Sequence, residues 1–226
     1  HGLHKDNILR GKILSSDSKG FCLSQEFGKK CWQLKSSLVG RHNASNLLAS
    51  QATGLILGLK KNDMQALEDF TYIPGRLERV FNEQDLDVFV DYAHTPDALE
   101  NVLQSLSRLD FKRILVVFGC GGDRDAQKRP LMGAAVKKYA DVAIVTSDNP
   151  RHEEPESIID QIMPGLAGFK RIIRESSRRE AIRMALHEMR QGDALLVAGK
   201  GHEEYQQIGD EKFPFSDVQV VKEFLR

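Results

Sequence analysis

The stretch that decides the fold is "RILVVFGCGGDRDAQKRPLMGAAVKKYADVAIVTSDNPR", residues 113–151. It opens on an apolar run, "ILVVF", and passes through a glycine-rich turn into "KRPLMGAAVKKYA", which reads as a helix. A second apolar run, "DVAIVT", follows at once. Apolar runs without polar alternation suit strands of a parallel sheet that is buried on both faces. The same rhythm continues outward on both sides. Upstream lie the strand "DVFVDYA" and the helix "TPDALENVLQSLSRL", with Pro96 in its first turn. Downstream come "EPESIIDQIMPGL" as helix, "KRIIRE" as strand, "SSRREAIRMALHEM" as a helix capped by Ser176 or Ser177, "DALLVAGKG" as strand, and a last helix, "SDVQVVKEFLR", capped by Ser216. This alternation predicts a Rossmann-like, doubly wound α/β domain over residues 78–226.

Residues 1–77 have a different texture. "GKILSS", "GFCLS" and "KKCWQL" read as short strands separated by turn residues. In "LVGRHNASNLLASQATGLILGL", Asn43 is placed to cap a helix in which Leu47, Leu48, Thr53, Leu55 and Ile56 recur at helical spacing. "KNDMQALEDF" reads as a second short helix, and Pro74 and Gly75 then break the pattern. Two domains are expected, 1–77 and 78–226.

Composition narrows the function classes. The chain has 226 residues, 41% hydrophobic and 28% charged, with 32 basic and 32 acidic residues. Zero net charge argues against nucleic-acid binding through bulk charge. No apolar run approaches the ~20 residues of a membrane span. Cys22, Cys31 and Cys120 are odd in number and lack metal-site spacing, which fits a reducing cytoplasm. His1 opens a polar, uncapped segment, so a fragment or a processed chain is expected.

In an open parallel sheet, ligands sit outside the carboxyl ends of the strands. The loops there read "DYAHTPD", "GCGGDRDAQKRP", "SDNPRHEEP" and "GKGHEEY", rich in charge, glycine and histidine, whereas "SRLDFKR", "KKYAD" and "MRQGD" at the other end read as bland. In the first set, Gly119 and Gly121 begin a dinucleotide-type fingerprint, but Arg124 stands where its third glycine belongs. The turn is either a tight strand-to-helix connection needing positive φ or a nest of amides that, beside Arg124, suits an anion. In "SDNPRHEEP", Arg151 suits a carboxylate bound bidentately, Asp148 suits an ammonium, and Pro150 fixes their spacing; Glu153 and Glu154 suit a helix start. In "AGKGHEEYQ", glycines admit a ligand to the backbone and Glu203 suits a further ammonium, or the segment is a flexible, solvated turn. His202 has no second ligand at metal-site spacing. Asp91 and His94 serve either a nucleotide ribose or helix capping. The Walker A and G-x-S-x-G signatures are absent.

Six segments, "GRHNASNLLA", "GRLERV", "VDYAHTPDALENVL", "VVFGCGGDRDAQKRPLMG", "VTSDNPRHEEP" and "VAGKGHEEYQ", occur together and in order. In this the chain resembles the Mur ligases, ATP-dependent amide-forming enzymes of peptidoglycan precursor synthesis. "DNPR" resembles the signature of the branch that adds meso-diaminopimelate. The resemblance assigns Arg124, Asp148, Asn149, Pro150, Arg151, Gly199 and Glu203 to that amino acid, and Asn43, Arg76, Asp91 and His94 to the nucleotide. It implies that ATP, with Mg²⁺, phosphorylates the D-glutamate γ-carboxylate of UDP-N-acetylmuramoyl-L-alanyl-D-glutamate, and that the diaminopimelate amine attacks the acyl phosphate. It also implies a cytoplasmic monomer that does not bind nucleic acid or membrane. Such ligases carry a UDP-binding domain and a phosphate-binding loop that these 226 residues lack. Residues 1–77 therefore correspond to the last part of a central ATPase domain, and the chain alone is expected to be inactive. A nicotinamide oxidoreductase, a non-catalytic amino-acid-binding module and a folylpolyglutamate-type ligase are the competing readings. The missing third glycine disfavours the first, and "DNPR" with "GKGHE" disfavours the last.

Overall fold

The computed structural model describes residues 2–3 and 8–226, and the chain divides into two compact units, His1–Ile73 and Pro74–Arg226. The opening "HGLHKDN" reading lies mostly outside the described residues.

In the first unit, β1 (Leu9–Asp17), β2 (Gly20–Phe27) and β3 (Lys30–Ser36) form an antiparallel meander. Alternate residues Phe21, Leu23, Trp32 and Leu34 turn inward and pack with Ala44, Leu47 and Leu48 of helix α1 (Arg41–Ile56). A short helix α2 (Lys61–Met64) and a 3₁₀ turn follow. Two expectations are corrected. Asn43 does not cap α1. The helix begins at Arg41 after Gly40, and Asn43 lies buried in its first turn, its Nδ2 donating to the Val39 carbonyl at 2.8 Å. Ile56 does not join the apolar face; at the helix end it is 86% exposed.

The second unit is a mixed α/β domain whose six-stranded sheet is mostly parallel. Its strands are β4 (Glu78–Arg79), β5 (Asp87–Asp91), β6 (Ile114–Phe118), β7 (Val142–Val145), β8 (Ile172–Arg174) and β9 (Ala194–Ala198), in the order β4-β5-β9-β6-β7-β8. Only the β4–β5 pairing is antiparallel. Helices α3 (Pro96–Leu106), α4 (Lys128–Tyr139) and α5 (Pro155–Ile162) pack side by side, and α6 (Arg178–Glu188) packs with α7 (Asp217–Phe224). Val88, Val90, Leu115, Val117, Ile144 and Val197 form one core with Ile182, Ala185 and Val221. The intervening Phe89, Val116, Phe118 and Val145 are equally buried and point to the opposite face. Both faces are therefore dry, which is why these strands are written without polar alternation.

Thr95 caps α3 with Pro96 at its first position, Ser177 caps α6 and Ser216 caps α7. An antiparallel hairpin, β10 (Tyr205–Ile208) and β11 (Glu211–Pro214), follows the "GKGHEE" turn in a stretch to which the sequence reading gave no strand. Arg151 forms an isolated parallel bridge with its Ile208.

Candidate functional site

The crossovers carry the chain from β5 past the later position of β9 to β6, then outward to β7 and β8, before β9 inserts between β5 and β6. The loops after β5, β6, β7 and β9 thus converge at one end of the sheet. They enclose a groove of about 410 Å³, lined by His94, Arg124, Asp148, Asn149, Arg151, Gly199 and Glu203 among others.

Close packing of two loops explains the glycine-rich turn. None of Gly119, Gly121 and Gly122 has positive φ; in that turn only Asp123 does, at 53°. A Cβ on Gly122 would lie 1.8 Å from the Pro150 carbonyl oxygen, and one on Gly119 would lie 2.2 Å from that of Thr146. Glycine is needed because "SDNP" lies directly against the turn, which corrects the positive-φ reading. The anion nest is corrected too. The Gly122 amide donates to the Asn149 carbonyl at 2.9 Å, and the Asp123 amide donates to Glu153 Oε1 at 2.6 Å. Glu153 is thus the anion that the turn holds. Arg129, 1% exposed, clasps both its oxygens at 2.8 Å, and this pairing lowers the Glu153 carboxyl to about 2. Glu153 serves the loop and Glu154 is the N-cap residue of α5, without a side-chain cap.

Arg151 is held from two sides. Its backbone pairs with the hairpin, its N–H donating to Gln207 O at 3.2 Å and its carbonyl accepting from Gly209 N at 2.7 Å. Its Nη1 donates to the Gly122 carbonyl at 2.8 Å. Its φ of 50° is strained for a residue with a side chain and persists because these contacts over-determine it. Arg151 also lines the groove. Arg124, exposed on the facing loop, has no ion-pair partner among the described residues.

Asp148 and Glu203 supply the negative side. Asp148 is 8% exposed, and its Oδ2 points toward Gly199, where a Cβ would stand 3.7 Å away. Gly199 has φ 120°, a conformation that side chains resist. Asn149 is tied on both sides of its amide: its Oδ1 accepts from Lys200 Nζ at 2.8 Å and Gln207 N at 2.9 Å, and its Nδ2 donates to Glu203 Oε2 at 3.1 Å. Pro150 is buried behind the groove, on the side of His152 and Pro155. His152 bridges Asp123 at 2.8 Å and Asp210 at 3.4 Å, and its pKa is raised, first by the bond to Asp123. Cys120 lies in the groove floor, where burial pushes its thiol up to about 12, so it is no nucleophile.

The residues linked to a nucleotide are distributed differently. Asp91 does not open onto the groove and caps nothing. It is buried, its Oδ2 accepting from Leu77 N at 2.6 Å and its Oδ1 from Ala93 N at 2.8 Å. Burial raises its pKa against these two bonds. Arg76 is exposed and lies over the Tyr92 ring at 5.2 Å, and the His94 ring meets the same tyrosine edge-on at 4.6 Å. Asn43 belongs to the first unit, where its Oδ1 is buried without a hydrogen-bond partner among the described residues.

Sequence reasoning missed Tyr92, Lys128 and Tyr205, which also line the groove, and the fully buried Arg178. Arg178 is bidentate to Asp217 at 2.8 and 2.7 Å and donates to the Ala198 carbonyl at 3.1 Å, tying the end of β9 to α7. Arginine at a helix start gave no signal of this.

The second unit is thus a mixed α/β domain of the doubly wound class, with cationic and anionic side chains gathered around one groove at the carboxyl ends of its strands. The chain belongs to the Mur ligase family: residues 75–201 match its "Mur ligase, glutamate ligase domain". It is 58% identical, over 97% of its length and 45% of the relative's, to the UDP-N-acetylmuramoyl-L-alanyl-D-glutamate–2,6-diaminopimelate ligase of Lawsonia intracellularis. It is 45% identical, over 95% of its length and 45% of the relative's, to the ligase of the same name from Aquifex aeolicus. A solved structure of a ligase so named superposes with a TM-score of 0.71 at 36% identity, covering 98% of this chain and 46% of the other. The chain thus spans a little under half the length of the relatives it matches. Among the described residues no helix is long and apolar enough to cross a membrane.

Proposed function

We propose that the groove binds meso-diaminopimelate and that the chain serves an ATP-dependent ligase joining it to UDP-N-acetylmuramoyl-L-alanyl-D-glutamate in peptidoglycan precursor synthesis. The observation that carries this reading is the juxtaposition of Asp148 and Glu203 with Arg151 and Arg124 around one groove. Diaminopimelate ends in an ammonium and a carboxylate on one carbon, which needs both signs of charge within one side chain's reach. Arg151 presents a fork for the carboxylate, and Asp148 and Glu203 face the ammonium. Gly199 leaves room for the ligand at the backbone, and Asn149 and Pro150 hold the loop that carries Asp148 and Arg151. The other end of the ligand keeps the amine that attacks an acyl phosphate. What these residues contribute is orientation of that amine.

ATP is the third substrate of the reaction, and Arg76, His94 and Asn43 are the residues we assign to it; Asp91 ties the backbone at Leu77 to that at Ala93. Mg²⁺ would accompany ATP in this reaction and neutralise charge on its phosphates. We assign residues 1–77 to the last part of the ATP-binding domain and 78–226 to the amino-acid-binding domain, working as a cytoplasmic monomer. Without a phosphate-binding loop, the 226 residues alone should form no amide.

Calorimetric titration of the 226-residue chain with meso-diaminopimelate and with L-lysine tests the reading. Tighter binding of meso-diaminopimelate is expected; equal binding, or binding of neither, overturns it.

A further inference from the structure

Lys200 is a lysine with no exposed surface. Its ammonium donates to Asn149 Oδ1 at 2.8 Å, to the Tyr205 carbonyl at 2.8 Å and to Glu203 Oε2 at 3.4 Å. Asp148 Oδ1 is also 3.4 Å away, within ion-pair distance but outside hydrogen-bond geometry, and that buried oxygen has no hydrogen-bond partner among the described residues. Burying an ammonium is costly unless it is paired, so the position has a purpose. The nearby Arg178 cannot fill it, because Asp217 already neutralises that guanidinium with two bonds. Lys200 is therefore the cation left to answer Asp148 and Glu203 from within the protein. Burial lowers its pKa, and Asp148 and Glu203 work against that fall.

We propose that Lys200 is a positioning residue that sets the charge specificity of the groove: a built-in ammonium that cancels one of the two carboxylates, so that the groove takes a zwitterion in preference to a plain cation. The proposal rests on the reading of the groove as a diaminopimelate site. With Lys200 in place, Asp148 and Glu203 present one net negative charge, enough for one ligand ammonium, and Arg151 and Arg124 require a carboxylate beside it. L-Lysine has the distal ammonium but no distal carboxylate, and it leaves those guanidiniums unanswered. Without Lys200 the two carboxylates face the groove with two negative charges, and a ligand carrying excess positive charge gains. Lys200 is shielded from the ligand, so it acts through Asp148, Asn149 and Glu203.

The test is calorimetry on the 226-residue chain, wild type against Lys200→Met, Lys200→Gln and Lys200→Arg, each with meso-diaminopimelate and L-lysine, with thermal melts to verify folding. The preference for meso-diaminopimelate over L-lysine should fall about tenfold or more in Lys200→Met and Lys200→Gln, and return in Lys200→Arg. Lys200→Gln keeps a hydrogen-bond donor for Asn149, so it decides the matter if Lys200→Met does not fold. An unchanged preference in folded neutral variants, or an equal loss of affinity for both ligands, overturns the proposal and leaves Lys200 a structural residue. A wild-type chain that binds neither ligand, or both equally, overturns the diaminopimelate reading itself and the proposal with it.

Discussion

At the amino ends of the six-stranded sheet, Asp193 is 3% exposed and fully answered: Arg113 donates to it from Nε at 3.1 Å and from Nη2 at 2.6 Å, and the Arg190 amide donates at 2.9 Å. At the carboxyl ends, Asp148 is nearly as buried, yet its Oδ1 lacks a hydrogen bond and shares one lysine with Glu203. Both ends bury carboxylates, so the expectation of bland loops at the amino end is corrected. What separates them is closure. The amino end spends its charges on each other and holds the strands in register. The carboxyl end leaves a carboxylate and two guanidiniums incompletely answered, which costs stability and suits a ligand.

The contrast can be broken from either side. The largest effect is expected for Asp193→Asn, which removes the charge-assisted bonds of Arg113 and should cost about 2.5 kcal/mol in denaturant unfolding. Affinity for meso-diaminopimelate should not change; a parallel loss would mean that the two ends are not separable. Next comes Arg151→Ala. Loss of a charged hydrogen-bonding partner should weaken meso-diaminopimelate binding by about 2 kcal/mol, roughly 30-fold, with little change in melting temperature. Unaltered affinity would exclude the carboxylate clamp.

The smallest effect sharpens the comparison through pH. Glu153 has its carboxyl lowered from 4.5 to about 2 by Arg129. A group depressed in this way stabilises the fold above its unfolded pKa and loses that contribution as pH falls through the folded value. Wild-type stability should therefore decline between pH ~4.5 and ~2. Glu153→Gln should cost about 1.5 kcal/mol at neutral pH and flatten that decline. A variant with the wild-type acid profile would show that the pair is not what tethers the "GGD" turn to the "NPR" loop.

Much of this was legible before the structure. "ILVVF" and "ALLVA" have no polar residue to present to water, so they had to be strands covered on both sides, and the intervening helices supply the cover. Ser177 and Ser216 are short oxygen-bearing side chains just ahead of amphipathic runs, and both cap. The hairpin of β10 and β11 escaped because "YQQI" and "EKFP" are polar and largely exposed, although the intervening Gly209-Asp210 is a two-residue turn signal. Asn43 misled because Gly40, at φ 94°, starts the helix earlier than side-chain preference suggests. In the groove, Arg124, Asp148, Arg151 and Glu203 were named from charge at predicted strand ends. Lys128, Tyr92 and Tyr205 were not, since nothing local distinguishes them from surface residues.

Sequence by itself determined the doubly wound domain and which charged residues stand at the carboxyl ends of its strands, because periodicity and strand direction follow from local pattern. Tertiary structure alone decided how each charge is used. Glu153 became the anion of its own turn, Asp91 a buried latch, and Lys200 the internal partner of Asp148 and Glu203. The roles of Glu153 and Lys200 depend on loops from β6, β7 and β9 meeting within hydrogen-bond distance. That meeting follows from β9 inserting between β5 and β6, a long-range pairing that no local stretch of sequence encodes.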